Sequence, residues 1–515
     1  MNITQSNFSS NYLKIYFWKV ISIVSGFLSL LIVLPHLSND IELFGIYSFC
    51  ISFSLYLSYA DIGFLSAGQK YAAEAFAKGN RKEEVDMLGF TGAILLLVIA
   101  PFSIAMIYFS FHPEMVVSEL SNEGGIIASN IFLILGVVLP IQIILQRLVQ
   151  SILIIRIKDY ISLRIDVIFN LIKIASVFFF FRVDHYLIVE YYLFISMLTI
   201  FSALLILFTI RKTEDYDFLA LLKAIKLNKK QFDISKQLAY SSLFLTIGWL
   251  IYYELDIFLI GKIFGPTEVA IYAIGFTFLN FLRSLWNSVF SPFAQRFNHF
   301  VGMKKETELK KLITTIIDYS LPLCIIVTVI LVVVAEPIIL FWVGEKYAES
   351  IIILQALVIG TGFGFVTNPA SYYFTAKTKY AYMYAISFTL PLVFILACVF
   401  FVPNLGILGM SISKSLSMLA CFVISIIGLS DIYNPLKAIK KWIVNLLIFS
   451  GLIIYFLPIA INRIFSTFEK SSFNLGVLML IVALLIIVFY FLLLVSKKAQ
   501  RNDLKKIYQM ILIKF

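Results

Sequence analysis

Charge is what this chain has least of. Asp, Glu, Lys and Arg together make up 14% of its 515 residues, against roughly 25% in an ordinary soluble protein. Cysteine and histidine are scarce, four of each. Cys50, Cys324, Cys398 and Cys421 all sit in apolar stretches, where neither an extracellular disulfide nor a metal-ligand spacing can be made of them. His36, His112, His185 and His299 are scattered over loops and helix ends, so no metal site is expected. There is no Walker A loop, no HExxH pair and no clustered Ser/His/Asp set. These absences argue against an enzyme and against a bound cofactor.

Apolar residues supply what charge does not. They form 61% of the chain, with a mean hydropathy of +0.95. A hydrocarbon layer of about 30 Å is crossed by roughly 20 apolar residues in a helix. Windows of that length fall at 15–34, 44–64, 88–110, 125–146, 161–181, 187–210, 241–263 and 269–293, then at 312–335, 350–372, 380–402, 406–428, 442–462 and 473–496. The expectation is an all-α polytopic membrane protein of about fourteen transmembrane helices.

Lys and Arg crowd onto alternate connections: 4 in 65–87, 7 in 211–240, 5 in 294–311 and 6 in 497–515. The other set of connections holds only Arg182, Lys262, Lys346, Arg463 and Lys470. Basic residues stay on the cytoplasmic side, so both termini are expected there, and the first span is expected to remain as an uncleaved helix. Topology and anionic lipid account for most of the net charge of +11, without a nucleic-acid partner. The external loops reach only about 14 residues, at 111–124 and 336–349. That leaves no room for the external catalytic domain of a membrane glycosyltransferase, polymerase or ligase.

The longest connection, 211–240, contains FLALLKAIKLNKKQF (218–232), apolar residues alternating with lysines as in an amphipathic surface helix. It divides the chain into an N-lobe (1–210, helices 1–6), the cytoplasmic amphipathic linker (211–240), a C-lobe (241–430, helices 7–12) and a segment of two further helices with a basic tail (431–515). An internal echo supports two halves. LFGIYSF (43–49) opens the second span and EVAIYAI (268–274) the eighth, each after a short external loop. Parallel repeats of this kind are a transporter architecture.

Ions inside spans cost several kcal/mol unless they line a cavity, a pair or a pathway. Four of the cations there stand out: Lys19, Lys173, Arg283 and Lys414. Arg283 is fourteen residues into its span, about 21 Å along the helix, too deep to reach either surface easily. The embedded acids are Asp166, Glu190, Glu254, Asp256 and Asp318. Each ion has two readings, mutual neutralisation between helices or the lining of a polar pathway. A cavity with fixed cations favours an anion, since Arg grips phosphate oxygens bidentately and Lys offers a compact charge.

Five segments carry a family resemblance. YADIGFLSAGQKYAAE (59–74) has Asp61, Gly63 and Glu74, and LDIFLIGKIFGPTEVAIYAIGF (255–276) has Asp256, Gly261, Gly265 and Tyr272. SPFAQRF (291–297), EPIILFWVGEKYAESIIILQAL (336–357) and NLGILGMSISKSLSML (404–419) follow in order. Together they resemble the Wzx-type flippases of bacterial polysaccharide biosynthesis, part of the multidrug/oligosaccharidyl-lipid/polysaccharide exporter superfamily. The resemblance implies two six-helix lobes around a central cavity, working by alternating access in the bacterial inner membrane. The implied cargo is an oligosaccharide on undecaprenyl diphosphate, such as an O-antigen unit of lipopolysaccharide, passed on to polymerase and chain-length machinery. Related lipid II flippases place cations in helices one and eight, which implies Lys19 and Arg283 as diphosphate contacts, with Lys414 and Lys173 beside them. They also imply a prenyl-tail groove at the last two helices. Asp256, Glu254 and Asp61 are candidates for coupling to an ion gradient. A lipid II flippase proper and a multidrug or metabolite antiporter of the same fold are the alternatives. Such antiporters commonly use an acid in the first helix, and 15–34 has none.

Overall fold

The computed structural model describes residues 5–57, 63–156, 158–182, 185–214, 216–302, 304–465 and 472–495. Asp61 and the basic tail lie outside them. Sixteen α-helices dominate: α1 Gln5–Leu37, α2 Ile41–Leu57, α3 Phe64–Ala77, α4 Arg81–Phe111, α5 Asn122–Ile155, α6 Tyr160–Phe180, α7 Ile188–Glu214, α8 Phe218–Ala224, α9 Lys229–Ile263, α10 Pro266–Gly302, α11 Glu306–Trp342, α12 Ser350–Thr361, α13 Gly364–Ala376, α14 Tyr380–Leu429, α15 Leu436–Phe465 and α16 Ser472–Val495. Two-residue strands, β1 Phe181–Arg182 and β2 His185–Tyr186, form a hairpin between α6 and α7.

Nine of the described helices are long and apolar enough to cross a membrane, and the bent pair α12 and α13 makes a tenth span. α14 counts twice: Gly406, at φ 55° and ψ −134°, breaks it between the spans expected at 380–402 and 406–428. An L side chain strains in that conformation, whereas glycine does not. The other expected spans lie on helices that are shorter (α2) or richer in charge (α6 and α9). The all-helical, polytopic reading therefore holds. α15 and α16 carry apolar surfaces suited to lipid, with Val444, Leu447, Leu480 and Ile487 exposed.

The chain forms two compact units: Met1–Leu250 with Ile257–Ala270, and Ile251–Asp256 with Ile271–Phe515. In unit 1, small residues bring helices into backbone contact, as expected where lipid offers no hydrophobic drive between helices. A Cβ on Gly45, in the LFGIYSF motif, would fall 1.8 Å from the carbonyl oxygen of Pro266. Serine hydroxyls stitch neighbouring helices to main-chain carbonyls, Ser103 of α4 donating to Gly136 of α5, and Ser129 of α5 to Ser110 of α4. α8 from the linker is docked rather than free: Leu221 and Ala224 are buried in the unit 1 core with Leu88 and Phe90, while Leu219 and Leu222 face outward.

Unit 2 is built around α11, which packs against α12, α13, α15 and α16. Lys441 of α15 pairs with Asp318 of α11 at 2.7 Å, and the Tyr433 hydroxyl donates to the same carboxylate at 3.2 Å. The Tyr490 hydroxyl of α16 donates to the Tyr319 carbonyl. The last two helices are thus anchored to unit 2.

Candidate functional site in unit 2

The YYELD run (252–256) of α9 buries four of its side chains: Tyr252, Tyr253, Glu254 and Asp256. Lys414, on the second half of α14, reaches this run. Its ammonium lies 3.0 Å from Asp256 Oδ2, with side-chain exposures of 1% and 0%. It also donates to the Tyr252 carbonyl at 2.6 Å, and the Tyr252 hydroxyl donates back to the Lys414 carbonyl at 2.9 Å. Aromatic rings close over the ammonium, Phe276 at 4.6 Å and Tyr252 at 4.8 Å from ring centroid to nitrogen. The Tyr272 hydroxyl, from the repeated Ile-Tyr motif, donates to Asp256 Oδ2. All this leaves Asp256 Oδ1 buried and without a hydrogen-bond partner. A buried oxygen in that position typically costs about 1–3 kcal/mol.

Arg283 on α10 is arranged differently. Its guanidinium stacks on the ring of Tyr253 at 4.1 Å, and among the described residues no carboxylate reaches it as an ion pair. Arg283 and Lys414 line one cavity of about 40 Å³ together with Tyr252, Tyr253, Trp286 and Asn368. A larger cavity, about 400 Å³, opens at helix ends among Glu306, Lys310, Lys377, Lys379 and Asp431. Its charges are largely cancelled in pairs, Lys377 with Glu306 and Lys379 with Asp431, so the small cavity is the better candidate despite its size.

The remaining expected site residues fall in unit 1. Lys19 is exposed on α1, beside the exposed Phe17 and Val20. Lys173 is half-buried on α6 and makes no ion pair among the described residues. Its helix neighbour Asp166 is satisfied by hydroxyls, accepting from Ser162 and Ser202 at 3.0 Å each. The structure therefore brings together Arg283, Lys414, Asp256 and Glu254 in unit 2, and leaves Lys19 and Lys173 outside that cluster.

Sequence reasoning passed over Trp286, Gly364 and Asn368. Signals for them existed. Trp286 is three residues after Arg283 and so shares its helix face. The GTGFG run (360–364) interrupts an apolar span, a mark of substrate sites in transporters.

Residues 198–352 match a family described as "Polysaccharide biosynthesis protein". No curated protein matches the chain in sequence. Among solved structures, the lipid II flippase MurJ in its inward closed conformation is 17% identical, with a TM-score of 0.63, covering 96% of this chain and 100% of its own. An inward-facing multidrug resistance MATE transporter of the MOP superfamily is 13% identical with a TM-score of 0.64, covering 80% and 95%. The eukaryotic MATE transporter AtDTX14 is 14% identical with a TM-score of 0.53, covering 85% and 99%. At these identities the structures speak for the fold alone. This is a multi-pass membrane protein with the MurJ and MATE transporter fold.

Proposed function

We propose that the chain carries an undecaprenyl-diphosphate-linked oligosaccharide, an O-antigen or similar surface-polysaccharide unit, across the bacterial cytoplasmic membrane by alternating access. The observation that carries this reading is Arg283: a guanidinium deep in a span, stacked on Tyr253, facing a cavity and lacking a carboxylate partner. A permanent cation in that position lowers the cost of bringing a diphosphate into the membrane, while the prenyl chain stays in lipid. The sugars bring their own hydrogen-bonding groups, and tyrosine faces suit them.

Lys414 and Asp256 provide a means of coupling. While Asp256 is ionised, its carboxylate holds Lys414. A proton on the unpartnered Oδ1 would neutralise Asp256 and free the ammonium to join Arg283 at the substrate. Glu254 is a second acid within the same turn of α9, and Asp61 stands as a third candidate from the sequence. Lys19 and Lys173 are proposed as contacts made on the way, Lys19 at the surface and Lys173 deeper in the N-terminal half. Both termini are placed in the cytoplasm by the Lys and Arg distribution, and the products would go to polymerase and chain-length machinery outside. The absence of any catalytic constellation in the sequence accords with a carrier rather than an enzyme.

The test is complementation of a strain lacking its O-antigen flippase, and of the native glycan cluster, at matched membrane abundance. Wild type should restore surface glycan, and Arg283→Ala should trap the lipid-linked intermediate inside. Normal surface glycan from both Arg283→Ala and Lys414→Ala would overturn the site. The likeness to MurJ favours lipid II as the second cargo, which predicts rescue of cell-wall synthesis instead.

A further inference from the structure

α5 of unit 1 carries three glutamines four residues apart, Gln142, Gln146 and Gln150. That spacing puts them on one face of the helix, with about 6 Å between neighbours at 1.5 Å per residue. The face is turned to protein rather than to lipid. Leu139, Val149 and Leu153 share it by the same three- and four-residue spacing, and all three are buried. Leu133, Val137 and Ile141 form a separate, exposed stripe of the same helix. Between its buried neighbours each glutamine is only half-buried, so the packing opens along the amides.

An amide inside a span ordinarily bonds a neighbouring helix. Unit 1 has two that do. Gln69 of α3 donates to the Ser151 hydroxyl at 2.9 Å, and Asn170 of α6 donates to the Ser25 carbonyl at 2.8 Å. The α5 amides behave otherwise. Gln142 Oε1 is buried without a hydrogen-bond partner. Among the described residues, the side chains of Gln146 and Gln150 make no hydrogen bond either. A polar atom buried in that state is costly, and leucine at the same position would avoid the cost.

The chemistry of the row says what would satisfy it. A primary amide donates two hydrogen bonds, accepts two and carries no charge. Phosphate only accepts, an ammonium only donates, and an apolar molecule does neither. None of these answers both ends of an amide. A carbohydrate does, since each hydroxyl both donates and accepts, and hydroxyls recur on successive rings. From Gln142 to Gln150 the row extends about 12 Å, enough for a short oligosaccharide. It lies in the half of α5 that leads to the α5–α6 connection, on the side where the Lys and Arg distribution places the cytoplasm.

We propose that Gln142, Gln146 and Gln150 form a ladder that receives the sugars of the cargo as it is loaded. Each amide donates to one hydroxyl and accepts from another. Sugar hydroxyls taken out of water need such partners, and the ladder supplies them without a fixed charge. The inference deepens the flippase reading and rests on it for the arrival of a lipid-linked sugar.

The experiment uses the full chain in lipid nanodiscs and three probes. They are the lipid-linked intermediate extracted from cells of the native glycan cluster that lack the carrier, undecaprenyl diphosphate alone, and the oligosaccharide freed from the intermediate by mild acid. Thermal stabilisation against probe concentration gives the affinities. Wild type should bind the intermediate more tightly than the bare carrier lipid. Gln146→Leu should weaken the intermediate about fivefold, the equivalent of about 1 kcal/mol, and leave undecaprenyl diphosphate unchanged. The triple variant Gln142→Leu/Gln146→Leu/Gln150→Leu should bind the two lipids equally. Gln146→Met, unbranched and without the amide, covers the case in which leucine prevents folding. A packing defect weakens both lipids together, so the ratio of the two affinities separates it from a lost sugar contact.

Equal affinity of wild type for the two lipids would overturn the ladder. So would a triple variant that keeps the wild-type preference, the result expected if the amides hold only water, or one that weakens both lipids alike. Failure of the two ideas separates. If the triple variant binds and exports as wild type does while Arg283→Ala traps the intermediate, the flippase reading stands and the ladder falls. If the freed oligosaccharide binds wild type and loses about fivefold in Gln146→Leu while neither lipid stabilises wild type, the ladder stands and the flippase reading falls. No stabilisation by any of the three probes would overturn both.

Discussion

Each unit buries an ion pair to the same degree, but in different places. In unit 1, Glu84 and Arg156 meet at 2.7 Å with side-chain exposures of 0% and 2%. They lie where helices end, Glu84 in the first turn of α4 and Arg156 capping α5. In unit 2, Asp256 and Lys414 meet within spans. The unit 1 pair is one strand of a web. Arg81 also reaches Glu84 at 3.1 Å, Lys158 and Arg156 share Glu214, and the Arg156 guanidinium packs against Phe76 at 4.6 Å. The unit 2 pair is one acid and one base, with an unpaired arginine lining the same cavity. Redundancy at helix ends marks a clamp that holds α4, α5 and α7 together. A solitary pair beside a free cation marks a group that can change partners.

The sharpest way to break this contrast is to remove one member of each pair. Lys414→Met strands the Asp256 carboxylate, and stability of unit 2 should fall by about 3–5 kcal/mol. Thermal unfolding in nanodiscs measures it. Adding Asp256→Asn should recover most of that loss, because the uncompensated charge is gone. A double variant as unstable as the single one would mean that packing, not charge, dominates.

Glu84→Gln should cost less, about 1–3 kcal/mol, since Arg156 keeps Glu214 and the Ile152 carbonyl at 3.0 Å. A loss equal to that of Lys414→Met would dissolve the distinction between web and pair. Lys19→Gln should be the mildest, within about 0.5 kcal/mol in stability as for other exposed substitutions. Any fall in glycan export by that variant at unchanged abundance then reports on cargo rather than on folding.

Much of the architecture was legible in the residues themselves. Thirteen of the fourteen expected spans lie on a described helix over most of their length, including the two that Gly406 separates, and 350–372 falls on the bent pair α12 and α13. α2, α6 and α9 escape a strict test of length and apolarity, the first because it stops at Leu57, the others because charge dilutes them: Arg164, Asp166 and Lys173 in α6, Glu254, Asp256 and Lys262 in α9. The site was legible only in part. Arg283, Lys414, Asp256 and Glu254 stood out as ions in apolar surroundings, and they do gather in one unit. Their pairing did not stand out. Asp166, two turns from Lys173 on one helix, is served by serines, one of them on α7.

Hydropathy is a sum over some twenty neighbours in sequence, and the bias of Lys and Arg is a count over short loops. Both are local, so the chain alone determined its spans and the alternation of positive charge between its connections. Whether a buried ion is neutralised depends on a partner far along the chain. Tyr252 and Lys414 exchange two hydrogen bonds across 162 positions, and no local window holds both. Tertiary structure decided that Lys414 is taken and Arg283 is not. It also decided that Trp286 and the broken span at Gly364 would line the same cavity as that arginine. Electrostatic energy falls off through space rather than along sequence, and only the folded chain sets those distances.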